Sequence, residues 1–67
     1  MEGWKKLLSK NDRLEANVLE AALEEAGIET QLVDKVDSAY NTFGEVEIFV
    51  RTENYEKAME YIQSHKV

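Results

Sequence analysis

Residues 45–51 alternate between two chemically different kinds of side chain, and this alternation constrains the fold more than any other feature. Successive side chains of an extended chain point to opposite faces, so Val46, Ile48 and Val50 share one face. The other face carries three charged residues and one aromatic residue: Glu45, Glu47, Phe49 and Arg51. The pattern predicts a strand with one face in the core and the other outside it.

A second segment, residues 28–34, alternates with the same period of two. Its predicted inner face carries Ile28, Thr30 and Leu32. Its predicted outer face carries the side chains between them: Glu29, Gln31 and Val33. These residues therefore predict a second strand with two different faces.

The first strand is predicted over residues 4–9, a short stretch with large apolar side chains that stops at the polar residues 10–12. Residues 35–43 are polar and irregular, and we expect a loop there that Gly44 closes.

A helix is predicted between the first two strands. Asp12 is suited to accept a backbone N–H at its start, with Glu15 completing a capping-box-like pair. Gly27 ends the run because it reaches the left-handed conformation at little cost, and Ile28 would then pack back on Leu23, as in a Schellman motif. Helical spacing gives an apolar stripe, with Val18 widening it: Ala16, Leu19, Ala22, Leu23 and Ala26.

The last helix is predicted to be capped by Thr52 and to bury an apolar stripe: Tyr55, Ala58, Met59 and Ile62. The order of elements is then β-α-β-β-α. The first helix forms a right-handed crossover between two parallel strands, and the third strand fits between them, antiparallel to both. The predicted class is α+β: a two-layer ferredoxin-like sandwich without its final strand, with sheet order 1-3-2 and both helices on one face.

Composition bounds the size and the setting of the protein. The 67 residues, of which 43% are hydrophobic, predict a single folded domain over residues 1–67. No apolar run approaches the roughly 18 residues of a membrane span, and no signal-peptide pattern opens the sequence. We therefore expect a cytoplasmic protein that does not bind membranes.

Several sequence motifs, in this order and spacing, resemble a small bacterial domain family of unknown function. They are Asp12-x-x-Glu15-Ala16, Leu23-Glu24-x-Ala26-Gly27-Ile28 and Gly44-Glu45-Val46-x-Ile48-x-Val50, followed by a closing helix with Ala58. The family is described as a putative prokaryotic signal-transducing protein, and the resemblance covers residues 7–62. It implies a ferredoxin-like unit related in shape to the PII signal proteins. It implies no catalytic residues, so none are transferred to this chain.

The residue inventory predicts no enzyme, no cofactor and no metal site. With no cysteine and a single histidine, His65, two residues from the end, the chain lacks a nucleophile beside an oriented base. Glu45 and Glu47, or Asp34 and Asp37, would suit a hard cation, but carboxylates on a solvated strand face are ordinary. The net charge of −6 and the absence of a glycine-rich turn also disfavour nucleic-acid and phosphate binding.

The outer sheet face is the more informative feature. If Leu7 points to the core, alternation along the first strand places Trp4 and Leu8 on the outer face, beside Val33 and Phe49 and near Arg51. An apolar patch with a polar rim often marks a binding surface. In the alternative arrangement Leu8 points inward and Leu7 outward, which leaves Val33 and Phe49 isolated.

The unpaired side of the first strand offers a second surface, because an edge strand is a template for another strand. Lys5 and Lys6 either protect this edge by charge or accompany pairing with a partner segment or a second copy.

These surfaces favour a non-enzymatic regulatory, signal-transducing or protein-interaction module. Its expected partner is another protein or a second copy in a homodimer. The alternative hypothesis is a sensor of a small ligand: a metabolite held near the loop 35–43, with Arg51 or Lys35 pairing an anionic group.

Overall fold

The computed structural model describes residues 2–35 and 45–64. The elements follow the predicted order: β1 (Trp4–Lys10), α1 (Arg13–Glu25), β2 (Thr30–Lys35), β3 (Glu45–Arg51), a 3₁₀ turn (Thr52–Asn54) and α2 (Tyr55–Ser64). The predicted loop 35–43 begins one residue too early, because Lys35 belongs to β2. The remainder of that loop and Gly44 lie outside the described residues.

The sheet confirms the predicted order and directions. The strands lie in the order β1-β3-β2, and β3 is antiparallel to both neighbours, so β1 and β2 run parallel to each other. Both helices pack on one face of the sheet: Leu23 of α1 and Ala58 of α2 join Val46, Ile48 and Val50 in one buried cluster. The α+β class and its ferredoxin-like arrangement are therefore confirmed.

The core is small and is built from the predicted inner faces. Among the described residues, the largest fully buried side chains are Leu23, Ile28, Ile48 and Val50. Full burial of an aliphatic side chain of this size contributes roughly 1.5–3 kcal/mol to folding. The apolar face of the central strand thus packs against both helices.

The N-cap and the C-terminal turn of α1 are formed as the sequence predicts, whereas Glu15, predicted to complete a capping box, forms an ion pair with Lys10 at 3.8 Å. The Asp12 carboxylate accepts the backbone N–H of Leu14 at 2.9 Å. At the other end Gly27 has a φ of 85°, and the N–H of Ile28 reaches the carbonyl of Leu23 at 2.9 Å. The Gly27 N–H also reaches the Glu24 carbonyl at 2.9 Å, which completes a Schellman motif.

The predicted stripe of α1 is correct except at its margin. Ala16 and Leu23 are buried, and Leu19 and Ala26 pack against the core. Val18, predicted to widen the stripe, is 63% exposed. At about 100° per residue it lies about 140° around the helix from Leu23, which is too far to reach the sheet.

β1 contains a bulge that the alternation rule did not anticipate. Lys6 lies opposite Phe49, whereas Leu8 lies opposite Ile48, so Leu7 is an extra residue between them. Leu7 is buried and Leu8 packs against the core. Each predicted alternative for β1 is therefore right about one leucine and wrong about the other, because the bulge places two consecutive leucines on the core side.

The start of α2 also differs from the prediction. Thr52 opens the 3₁₀ turn, and the helix begins at Tyr55, two residues later than a cap at Thr52 implies. The predicted stripe is retained: Ala58 is buried, and Tyr55, Met59 and Ile62 pack against the core.

Candidate interaction surface

The face of the sheet away from the helices, here called the outer face, carries side chains from all three strands. Because facing residues on paired strands share a side of the sheet, the register assigns the members of this face. They are Trp4, Lys6 and Ser9 from β1, Gln31 and Val33 from β2, and Glu45, Glu47, Phe49 and Arg51 from β3.

Three apolar side chains of the outer face form a diagonal row. Phe49 lies on the central strand, Trp4 lies two positions along on β1, and Val33 lies two positions along in the other direction on β2. Diagonal neighbours in antiparallel strands are within reach of aromatic side chains. All three are half-buried, so the row is neither fully in the core nor fully in solvent.

At one end of the row, Arg51 contacts both Trp4 and Glu29. The Arg51 guanidinium carbon lies 4.4 Å from the centre of the Trp4 ring. The Arg51 Nε donates to Oε1 of Glu29 at 3.0 Å. The Gly3 carbonyl accepts the backbone N–H of Thr52 at 3.0 Å, which joins the start of β1 to the end of β3. These contacts fix the orientation of the Trp4 ring on the outer face.

Next to Phe49 and Val33, Lys6 forms an ion pair with the nearly buried carboxylate of Glu47. Lys6 Nζ lies 3.0 Å from Oε2 of Glu47, and the Glu47 side chain is only 11% exposed. Glu47 lies between Ser9 on β1 and Val33 on β2, which shield it from both flanks. The ion pair with Lys6 stabilises the Glu47 carboxylate, because a charge at this nearly buried position would otherwise lose hydration without compensation.

The structure brings together four of the residues singled out from the sequence: Trp4, Val33, Phe49 and Arg51. It separates Leu8 from them, because the bulge in β1 places Leu8 against the core. Sequence reasoning did not find the two ion pairs that border the row. The sequence shows the opposite charges of these pairs, but it does not show the strand register that brings the paired residues together.

The second predicted function receives little support from Arg51. That guanidinium already contacts Glu29 and Trp4. The loop that would form the rest of the ligand site lies outside the described residues, apart from Lys35.

The described residues show no site for a metal. No group of three or more His, Cys, Asp or Glu side chains lies together within residues 2–35 and 45–64. Asp34, considered for a cation, instead accepts two hydrogen bonds from the Arg13 guanidinium, each 2.9 Å long. Asp37 and His65 lie outside the described residues. None of the described helices has the length and apolar character to span a bilayer.

The family comparison covers almost the whole chain. A family model described as putative prokaryotic signal transducing protein matches residues 4–66. The chain belongs to this family. Neither curated proteins nor solved structures give a significant match.

Membership of the prokaryotic signal-transducing family confirms the resemblance found in the sequence motifs. The matched region includes every described helix and strand. The family description names a signalling role and no reaction.

Proposed function

We propose that this protein is a non-enzymatic regulatory module that transduces a signal by binding another protein on the outer face of its sheet. The observation that carries the proposal is the diagonal row of Trp4, Phe49 and Val33, half-buried between two ion pairs. The family description supports a signalling role. The acidic, cysteine-free composition is compatible with action in the cytoplasm.

The outer face has the general make-up of a protein-binding surface. Aromatic residues and arginine are enriched in such surfaces, and an apolar centre is commonly surrounded by polar groups. Here Trp4 and Phe49 provide aromatic area, and the charged side chains of Lys6, Glu29 and Arg51 border it. Completing the burial of one aromatic side chain contributes on the order of 1–2 kcal/mol to association.

Catalysis is not part of the proposal. The outer face offers carboxylates, a lysine and an arginine, but the described contacts pair them with each other: Lys6 with Glu47, and Arg51 with Glu29. A nucleophile needs an oriented base within hydrogen-bond reach, and these ion pairs supply none.

The test compares two chains that carry a photo-crosslinking residue, one in place of Phe49 and one in place of Val18. Val18 is the matched control because it is apolar and accessible but lies on α1, on the opposite layer. In prokaryotic cells we expect a discrete crosslinked product from position 49 and none of the same mass from position 18. Excess unlabelled wild-type protein should suppress the product.

Competition with variant proteins decides whether the outer face is responsible. Phe49→Asp should compete at least about tenfold less well than wild type, since a central contact residue is lost. Val18→Asp, which introduces the same charge, should compete as wild type does. Circular dichroism checks that both variants are folded, and Phe49→Thr, which keeps a strand-forming residue, replaces Phe49→Asp if that variant unfolds.

Two results would overturn the proposal: equal crosslinking from both positions, or equal competition by the Phe49 variant and wild type. Sedimentation velocity over a concentration series identifies the partner class. A dimer that Phe49→Asp dissociates means that the outer face binds a second copy, whereas a monomer at all concentrations leaves a different protein as the partner.

A further inference from the structure

The outer edge of β1 is a second surface of the same sheet. β1 pairs with β3 on one side, and no strand within residues 2–35 and 45–64 pairs with its other side. An edge strand presents unpaired N–H and C=O groups in the orientation that a further strand requires. Extended peptides bind to many domains by adding such a strand.

α2 lies next to this edge and has apolar surface to offer. It packs against β1 and β3. Among its described residues only Ala58 is buried, while Tyr55, Met59 and Ile62 contact the core and remain partly accessible. A strand added outside β1 would extend the sheet beneath α2 and cover part of that surface.

The charge of β1 is opposite to the charge of the chain as a whole. Its seven residues include three lysines and no acidic residue, whereas the net charge of the protein is −6. The Lys5 ammonium lies 4.2 Å from the centre of the Tyr55 ring. Lys6 and Lys10 pair with Glu47 and Glu15, and their side chains remain 46% and 38% exposed. Since each ammonium has three donors, one partner does not saturate it.

We infer that the β1 edge binds an extended acidic segment of a partner protein, in which acidic and apolar residues alternate, as an added strand. The acidic side chains would lie on the outer face, where Lys6 is the lysine of β1, and the apolar side chains would lie on the core side and pack under α2. The fold already contains a segment of this kind against β1, because residues 45–48 of β3 alternate acidic and apolar side chains and Glu47 pairs with Lys6. The inference rests on the proposed function, since it gives the partner chemistry for one edge of the same sheet.

A second copy suits this edge less well than an acidic partner does. Pairing of β1 with β1 would place three lysines from each copy on neighbouring strands, and like charges in facing positions are destabilising. Lys6 on the outer face would attract an acidic strand but repel the same lysine of a second copy, so it favours the acidic partner.

The test uses the full ¹⁵N-labelled chain and three synthetic peptides of seven residues. The first alternates glutamate with valine, the second replaces each glutamate with lysine, and the third replaces the central valine of the acidic peptide with proline. The proline peptide keeps its charge but loses one backbone donor. Resonance shifts and amide exchange are measured at about 50 mM and about 300 mM salt, because screening weakens charge pairing.

We expect the acidic peptide to shift the β1 amides, to slow their exchange and to bind at least about tenfold more tightly than the lysine peptide. Binding should weaken at the higher salt concentration, and the proline peptide should bind less well than the acidic one. Replacing Lys6 with glutamine should reduce affinity for the acidic peptide about threefold. Lys57→Gln on α2 is the matched control and should leave the affinity unchanged.

Three results would overturn the inference. They are unchanged β1 amides at millimolar acidic peptide, equal affinity for the acidic and lysine peptides, and slower β1 exchange at higher protein concentration without peptide. The last result would assign the edge to a second copy. If the peptides fail while Phe49→Asp still abolishes competition at the outer face, only the edge inference fails and the proposed function stands.

Discussion

The carbonyl of Leu23 accepts the backbone N–H of Ile28 at 2.9 Å, and the side chains of both residues are fully buried. One local hydrogen bond therefore joins the last turn of α1 to the chain entering β2. The turn between them depends on Gly27, whose φ is 85°. This short motif sets the position of α1 on the sheet, because the two buried side chains lie on either side of it.

Gly27→Ala should lower the free energy of unfolding by about 1–2 kcal/mol, because an L-residue is strained at this positive φ. Apart from Gly27 and its two chain neighbours, no atom of the described residues lies within 4 Å of the position that an added Cβ would occupy, so the loss comes from the backbone alone. Urea unfolding measures it. Gly27→Asn is the matched control and should lose less, since asparagine tolerates the left-handed conformation better. Equal losses for both variants would contradict this account.

Ile48→Ala should destabilise the protein by about 2–5 kcal/mol, because it creates a cavity in the fully buried centre of the sheet. The neighbouring Phe49 points to the outer face and is only half-buried, so Phe49→Ala should cost less despite removing a larger side chain. Thermal unfolding of the two variants beside Val18→Ala, an accessible site expected to change stability by less than about 0.5 kcal/mol, checks the order. A greater loss for Phe49 than for Ile48 would show that the two faces are assigned wrongly.

The fold was predictable because the signals for most of it are local. The alternation in residues 28–34 and 45–51 identifies two strands, and the sequence around Asp12 and Gly27 identifies both ends of α1. Their agreement with the structure reflects a period of two for strands and about 3.6 for helices, which a sequence displays directly. The prediction that Val18 widens the buried stripe was wrong, because Val18 lies at the edge of that stripe, where the distance to the sheet decides burial.

The candidate surface was predictable only where strands are regular. Alternation placed Val33, Phe49 and Arg51 correctly, but the bulge in β1 moved Leu8 to the core side. A bulge arises from how two strands fit together, so the sequence of one strand does not reveal it. The contacts of Arg51 with Trp4 and Glu29 join positions far apart in the chain and likewise depend on the tertiary register.

Lys6 and Glu47 should show a larger coupling energy than an exposed ion pair in the same protein. Their atoms lie 3.0 Å apart with the Glu47 side chain 11% exposed, whereas Lys10 and Glu15 are 3.8 Å apart and both well exposed. A double-mutant cycle with glutamine at positions 6 and 47 should give about 1 kcal/mol, against less than about 0.5 kcal/mol for the cycle at positions 10 and 15. Comparable coupling in both cycles would mean that burial adds nothing to the first pair.

Arg51→Ala should shift the fluorescence emission of Trp4 to longer wavelength, because the guanidinium that covers its ring is replaced by water. Trp4 is the sole tryptophan, so the emission reports this site alone. Glu29→Gln is the matched control: it removes the charge paired with Arg51 but leaves the guanidinium on the ring, so its shift should be smaller. The loss of stability in Arg51→Ala should be about 0.5–1 kcal/mol from the cation–π contact. An unchanged emission spectrum in Arg51→Ala would contradict the stacked geometry and would remove one border of the proposed binding surface.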